Sequence, residues 1–467
     1  MVSHADHAGK TPSRATLRDT IRWLSQGLLE RDDQARALLL ALLSGEHVLL
    51  IGPPGTAKSA LARRLHGLVG GRWFERLLTR FTVPEELFGP LSLEALDDGR
   101  YEREIDGYLP SADVAFLDEV FKANSAILNA LLAILNERVF DQGAQRIQVP
   151  LACLVAASNE MPDDEAMLAF QDRFLFRCDV LPVTDASFRE LLVQSHQQVG
   201  EPPWRLDPAD VRASDLGAAQ VGLDPPVIDA LGALRESLRE AGLTISDRRW
   251  VRAARVLRVA AWLDDAQEVG LEHLAVLRWL LPATAAQVKG FEAWLLAWLG
   301  TDQALDPVWL ERTAEAFSQQ LELEQSAGEL AFDDSGKLAM ARRLAGADAT
   351  ALSDGAPRLS AFSRARRYSP AHIAARVAQI SEVIDRVDRW LSDATAHAAS
   401  LQARLSRSLW LEPSMVAHAL QTFTQSVEAV RRSRERLVAA RAGFEALPLA
   451  EADDGRPPDP VVLPDAR

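Results

Sequence analysis

The sequence predicts an α/β fold on a parallel sheet, followed by an all-α region and a C-terminal antiparallel helical arm of three-helix, coiled-coil-like form. Three observations predict it. The apolar run His47-Val48-Leu49-Leu50-Ile51 ends in a glycine-rich turn that opens into Ala60-Leu61-Ala62-Arg63-Arg64-Leu65, a good helix former. Strand, turn and helix in that order are the unit from which parallel sheets are built. A second apolar run, Ala112-Asp113-Val114-Ala115-Phe116-Leu117, ends in two adjacent carboxylates, Asp118 and Glu119. Beyond residue 300, apolar residues recur in alternating steps of four and three, the pattern of a coiled-coil seam.

Length and composition bound the rest. A chain of 467 residues has room for roughly two to four domains. Its apolar content of 48% and charged content of 25% are those of an ordinary soluble protein. A net charge of −15 argues against a broad nucleic-acid footprint. Cys153 and Cys178 both fall in apolar, strand-like runs and read as reduced core thiols of a cytosolic protein, with no metal-ligand cluster around them. Residues 1–12 are polar and lack a hydrophobic signal core, and no apolar run approaches the roughly 18 residues of a membrane helix. The expectation is a cytoplasmic protein with no transmembrane segment.

Taken in order, Leu17, Ile21, Leu24 and Leu28 predict an amphipathic helix, and residues 34–43 a second, more buried one. Gly52-Pro53-Pro54-Gly55-Thr56-Ala57-Lys58-Ser59 then has the form of a phosphate loop, in the strand–turn–helix context that such a loop requires. Gly52 and Gly55 let the backbone turn its N–H groups inward. Lys58 is a flexible cation for the terminal phosphates, Ser59 a hydroxyl for magnesium, and the helix start adds its positive dipole end. A strand is expected over 72–78. The turn Asp97-Asp98-Gly99-Arg100, between residues 91–96 and a return strand over 101–105, predicts an inserted hairpin.

Asp118 and Glu119 have the placing of a magnesium-holding carboxylate and a general base. A helix over 125–138 follows, with Ile127, Leu128, Leu131, Leu132 and Leu135 on its buried face, and then a second hairpin over 139–149 around Asp141-Gln142-Gly143. The buried strand 151–157 ends in Ser158-Asn159, where Asn159 either orients a lytic water or caps a turn. Asp172-Arg173 leads into a strand over 174–180; an arginine at that rim either faces a neighbouring subunit's nucleotide or is a solvated strand-end charge. Residues 185–299 are helical in pattern. Ile245-Ser246-Asp247-Arg248-Arg249-Trp250 opens a helix whose expected buried stripe is Val251, Ala254, Leu257 and Ala261, with Ser246 or Asp247 as N-cap. Arg248 either reaches back to a γ-phosphate or is a surface charge.

Together these pieces resemble the AAA+ ATPases, in the order Walker A (52–59), Walker B (117–119), sensor 1 (157–159), arginine finger (172–173) and sensor 2 (246–248). Glu86-Leu87-Phe88-Gly89-Pro90 and Ala126-Ile127-Leu128-Asn129 resemble the MoxR branch, and Ala156-Ala157-Ser158-Asn159-Glu160 with Ser246-Asp247-Arg248-Arg249-Trp250 resembles its RavA (regulatory ATPase variant A) group. The resemblance covers residues 13–300. It implies that Gly52, Pro53, Pro54, Gly55, Thr56, Ala57, Lys58, Ser59 and Asp118 bind ATP or ADP, with Ser59 and Asp118 on Mg2+. Glu119 is then the base, Asn159 sensor 1, Arg173 the finger and Arg248 sensor 2, with Arg177 and Arg249 as alternates for the last two. It further implies a hexameric ring, an unknown protein client, and a von Willebrand factor A domain protein as partner.

Beyond the core, Leu310, Ala314, Phe317 and Leu321 make a short stripe. A seam of about five heptads runs from Ile373 to Leu405, and a second from Val416 to Phe444 places Arg434 and Arg441 at seam positions. The short connection 406–413 folds the two helices back on each other, each about 50 Å long; an intermolecular coiled coil is the alternative. The expected domains are an α/β core over 13–182, a helical lid over 183–300, an arm over 301–447 with a short insertion at 326–369, and a disordered tail over 448–467. RavA-type chains carry a β-rich module at the insertion that docks a lysine decarboxylase. Residues 326–369, rich in Ala, Asp, Ser and Gly, show no alternating strands, so that partnership is not carried over. The leading reading is an ATPase for chaperone-like remodelling or assembly of proteins. A nucleic-acid motor and a nucleotide-gated scaffold are the competing readings.

Overall fold

The computed structural model describes residues 12–160, 167, 170–193, 199–282, 284–300, 305–331, 362–450 and 457–464. Five short strands form a parallel sheet: β1 (Val48–Ile51), β2 (Trp73–Leu77), β3 (Val114–Asp118), β6 (Cys153–Ser158) and β7 (Phe176–Asp179), in the order β2-β3-β6-β1-β7, with the apolar runs β1, β3 and β6 at its centre. Every pairing is parallel; Val48 lies between Val155 and Phe176, and Ile51 between Ser158 and Asp179. β1, β3 and β6 are almost wholly buried, which is why they read as continuous apolar runs and not as alternating ones. Before and around the sheet stand α1 (Arg14–Ser25), capped by the Ser13 hydroxyl, α2 (Asp32–Leu43), α3 (Lys58–Val69), the short α4 (Pro84–Phe88) and α5 (Leu93–Asp97), and α6 (Ser125–Glu137), capped by Asn124. The expected second hairpin is present as β4 (Val139–Gln142) and β5 (Gln145–Gln148).

The first hairpin is not. Leu93-Glu94-Ala95-Leu96 are helix formers and make α5, and the ladder around Gly99 shrinks to a single bridge, Leu91 to Arg103. The region after β7 holds α7 (Asp185–Val193), α8 (Pro208–Ala218), α9 (Pro225–Glu240), α10 (Asp247–Leu263) and α11 (Ala285–Gly300). It is not wholly α-helical: Gly222–Leu223 (β8) pairs with Glu268–Val269 (β9), and Leu271–Trp279 is a 3-10 run. α10 buries Leu257 and Ala261 as expected, together with Ala253, Val256, Val259 and Ala260, while Val251 of the expected stripe points to solvent.

The chain divides into two units, Met1–Leu299 with Gln402–His418, and Gly300–Leu401 with Ala419–Arg467. The first holds both the core and the lid, and it also takes the tip of the helical hairpin, residues that the sequence assigned to the arm. Trp410 is fully buried there, and its indole N–H donates to Ala260 O on α10 at 3.0 Å. Leu409 N donates to the Asp264 carboxylate (3.0 Å), and Arg36 on α2 donates to Leu409 O (3.1 Å). Arg278, ion-paired with Asp33 of α2, donates to Trp410 O at 3.2 Å, and Asp33 also accepts from the Trp279 indole at 2.9 Å. One tip thus joins α2 of the core to α10 and the 3-10 run of the lid.

The second unit contains α12 (Pro307–Ser326) and most of α13 (Pro370–Arg407) and α14 (Pro413–Glu445). The α13 seam is as expected: Ile380, Ile384, Val387, Ala394, Leu401 and Leu405 are buried. On α14 Phe423, Val427, Val430, Leu437 and Phe444 are buried as expected, and the seam departs by one residue only where Leu420, Arg434 and Arg441 were expected. Ser433 and Ala440 occupy the seam, while Arg434 turns out to pair with Asp388; a guanidinium has no partner in an apolar seam, whereas the small neighbours fit. β10 (Gly328–Ala331) and β11 (Phe362–Ala365) form an antiparallel ladder at the root of the insertion, where no strands were expected; residues 332–361, most of the stretch read as lacking a β-rich module, lie outside the described residues. The tail, expected to be disordered, is extended along the helices over its described part. Val461 exchanges hydrogen bonds with the Gln379 amide (3.0 and 3.1 Å), and Pro464 O accepts from the Trp309 indole (2.9 Å).

Trp410→Ala should destabilise the first unit by about 3–5 kcal/mol, the usual cost of emptying a buried aromatic site. Denaturant unfolding of the full chain reads this; an unchanged midpoint would mean that the tip is not part of that unit's core.

Candidate functional site

The sheet has two unlike edges, and the functional side chains are distributed between them. At the edge where the strands end, β1 runs into the glycine-rich turn. Gly52 N donates to Ser158 O at 3.0 Å, and a Cβ on Gly52 would stand 2.1 Å from Val180 O, so no other residue fits. Gly55 (φ +81°) and Ala57 (φ +71°) both adopt left-handed backbone, which curls the loop before α3 starts at Lys58. A glycine-bearing loop that curls into a helix N-terminus is the kind of backbone that receives phosphate oxygens.

Lys58 is buried in that loop. Its ammonium donates to Gly52 O (2.6 Å), Pro53 O (2.9 Å) and Asn159 Oδ1 (3.2 Å). Burial draws its pKa down, while the nearby Asp118 and Glu119 carboxylates draw it back up. Asp118 ends β3 and accepts from Glu119 N at 3.0 Å; Glu119 itself sits at φ +55°, a turn that redirects its side chain after the strand. Asn159 donates its amide N–H to Glu119 Oε1 while its carbonyl accepts from Lys58. Lys122 stands 3.3 Å from the same Glu119 oxygen. The structure therefore brings Lys58, Asp118, Glu119 and Asn159 into one polar cluster, with half-buried Ser59 next to Lys58 in the first turn of α3.

Sequence reasoning missed Arg31. It is buried at the start of α2, donates to Thr56 O of the loop at 3.1 Å and also reaches Leu181 O. Beside it Glu30 accepts from Thr184 N at 2.9 Å. These bonds tie the loop to the segment after β7. The local sequence, Glu30-Arg31-Asp32, looks like an ordinary solvated charge run, so nothing in it signals the role.

The remaining candidates lie at the opposite edge, where the strands begin. Arg173 sits in the turn that leads into β7; its Nε is buried without a hydrogen-bond partner, and it makes no ion pair among the described residues. Arg177 pairs with Asp172 (3.6 Å), and burial pushes its pKa down to about 10. Arg249, in the first turn of α10, is buried and bonded through all three of its nitrogens. It donates to Asp172 (3.2 Å), Phe174 O (3.3 Å), Leu175 O (2.8 Å) and Leu280 O (2.5 Å), and burial brings its pKa down to about 9. It fastens the lid to the turn that carries Arg173, a structural post that occupies four of its five N–H donors.

Arg248 donates to Asn136 at 3.1 Å. Asn136 is near the C-terminus of α6, whose end is fixed to this edge by Arg138 donating to Gly45 O at 2.7 Å. α6 starts just after the Walker-type carboxylates and is 13 residues long, about 20 Å. Arg248 therefore stands a helix length away from its own chain's Lys58 cluster. A further lid contact, Arg255 to the buried Glu46 just before β1 (3.4 Å), lies on the same side. Lys58, Asp118, Glu119 and Asn159 thus stand at one edge and Arg173, Arg177, Arg248 and Arg249 at the other.

Residues 15–213 match the family described as the MoxR domain in the MoxR-vWA-beta-propeller ternary systems, and residues 226–295 match an AAA lid domain. Uncharacterized protein MJ0812 of Methanocaldococcus jannaschii is 40% identical over 256 residues, 55% of this chain and 68% of that one. Uncharacterized protein MJ0079 of the same organism is 39% identical over 256 residues, 55% and 67% of the two chains. Chaperone MoxR1 of Mycobacterium tuberculosis is 28% identical over 181 residues, 38% of this chain and 47% of its own length. The strand order, the loop and carboxylate cluster at one sheet edge and the lid at the other agree with these likenesses, and the chain belongs to the MoxR family of AAA+ ATPases.

Proposed function

We propose that the protein hydrolyses ATP, with Mg2+, in a hexameric ring whose active sites are completed between neighbours, and that it spends the cycle on remodelling or assembling a protein client. The observation that carries this reading is the division of the site: Lys58, Asp118, Glu119 and Asn159 at one sheet edge, Arg173 and Arg248 at the other. A head-to-tail ring sets the first edge of each copy against the second edge of the next.

The residues fit a magnesium nucleotide. The loop around Gly52 and Gly55 presents backbone N–H groups with no side chain in the way. Ser59 and Asp118 would hold the ion, which neutralises charge on the phosphates when bound. Lys58 holds the terminal phosphates in place of its loop carbonyls. Asn159 positions the Glu119 carboxylate, which takes the proton of the attacking water. Arg173 of the next copy, with a guanidinium nitrogen still unbonded, supplies positive charge from outside, and Arg248 of that copy lies on the same side.

A von Willebrand factor A partner is supported by the description of the matching family, and chaperone-like action by the name of the mycobacterial relative. Among the described residues no helix is long and apolar enough to cross a membrane, in keeping with a cytoplasmic setting. The RavA grouping rests on the phrases at 156–160 and 246–250.

Glu119→Gln should keep nucleotide affinity and lower turnover at least tenfold, since an amide accepts no proton; general-base removal commonly costs about 10²–10⁴. Turnover above a tenth of the wild-type rate would remove Glu119 from the role. Lys58→Ala and Arg173→Ala should each be inactive alone, and mixing them should restore hydrolysis, because some interfaces then hold both groups intact. Mixed rings with no recovered activity would refute the shared site as drawn, and Arg177 would be the next arginine to exchange.

A further inference from the structure

Two apolar surfaces of the first unit have no partner among the described residues. One is α7. None of its nine residues is buried. Phe188 (53% exposed), Leu191 (45%) and Leu192 (70%) follow helical spacing onto one face, with Val193 (80%) beside them. A helix with an apolar face in water is the mark of a contact surface. The other is a groove of about 690 Å3 in the lid. Leu234 and Leu238 of α9 form one wall, Phe291 and Trp294 of α11 the other, and Arg177 and Arg249 close one end.

These surfaces lie at opposite edges of the sheet. α7 begins at the phosphate-loop edge, where Thr184 is bound by Glu30 and Leu181 by Arg31, the residue that also holds Thr56. The groove opens at the arginine edge, where Arg249 holds the turn carrying Arg173. α7 therefore does not fill its own groove. A neighbour that offers Arg173 to this chain's phosphate loop carries its groove on the same side, toward this chain's α7.

We propose that α7 of one copy seats its Phe188–Leu191–Leu192 face in the lid groove of the next. The contact is heterologous, surface to complementary surface, and so it propagates around a ring. It rests on the shared-site reading. It also gives nucleotide state a route between copies, since α7 is fastened to the phosphate loop of one chain and would bear on the lid of another.

The test uses the full-length chain with ATP and a short bismaleimide. Leu192→Cys is an exposed substitution, and Gly290→Cys lies on the groove wall where a Cβ meets nothing within 4 Å. The native thiols are buried and, with their pKa raised by that burial (Cys153 to about 12), do not compete. Mixing the two single variants should give a covalent dimer that neither gives alone, and the double variant should give a ladder. Leu192→Glu should raise the concentration for half-assembly at least tenfold in sedimentation, with an unchanged helical signal. Assembly and Lys58/Arg173 complementation without cross-linking, or with assembly insensitive to Leu192→Glu, would overturn the seat and leave the shared site standing. No assembly of the wild-type chain in ATP would overturn both.

Discussion

A parallel strand has two chemically different ends, and the design of the first unit depends on that asymmetry. All five strands point the same way, so their C-terminal ends release the glycine-rich turn, Asp118-Glu119 and Asn159 together. Their N-terminal ends gather Glu46, Asp172 and the lid arginines. An antiparallel sheet would have mixed the two sets. Strand polarity thus collects Lys58, Asp118, Glu119 and Asn159 on one side and leaves Arg173, Arg177, Arg248 and Arg249 on the other.

Within the cluster, charge balance is set by proximity in a shielded place. One ammonium faces two carboxylates, and a neutral amide connects them: Asn159 accepts from Lys58 and donates to Glu119. An amide is suited to this post because it offers both polarities without adding a charge. At the other edge the same low-polarity surroundings act on Arg249 and Arg177, whose guanidinium groups are held by one carboxylate and several carbonyls. Removing Asp172 would leave two buried cations without their counter-ion, a costly condition.

What was legible in the sequence was local. The loop at 52–59, the carboxylates at 118–119, Asn159 after a buried strand and the α13 seam each declare themselves within about ten residues, through a period or a turn requirement. What was not legible needs tertiary information. Arg31 looks like a solvated charge and becomes a loop support only because Thr56 folds against it. Arg248 and Arg249 are adjacent in sequence, yet the rotation of about 100° between neighbours on a helix sends the first to Asn136 and the second into the core. Small residues blur phase: with Ala and Ser eligible for the seam, Arg434 reads as a seam residue when Ser433 is. The region around Gly99 carries a good turn, but the residues before it prefer a helix to a strand.

The burial of Trp410 has a consequence in time as well as in space. Residues 402–418 belong to the first unit, while residues 300–401 between do not. During synthesis the first 299 residues emerge without the segment that joins α2 to α10, and about a hundred more must be made before it arrives. Until then Arg36, one Arg278 nitrogen and the Ala260 carbonyl lack the indole and the carbonyls they will later meet. Core and lid thus reach their final mutual fastening late, after the long helices have begun to form, and a ribosome stalled before residue 402 would hold a first unit still open to chaperones and proteases.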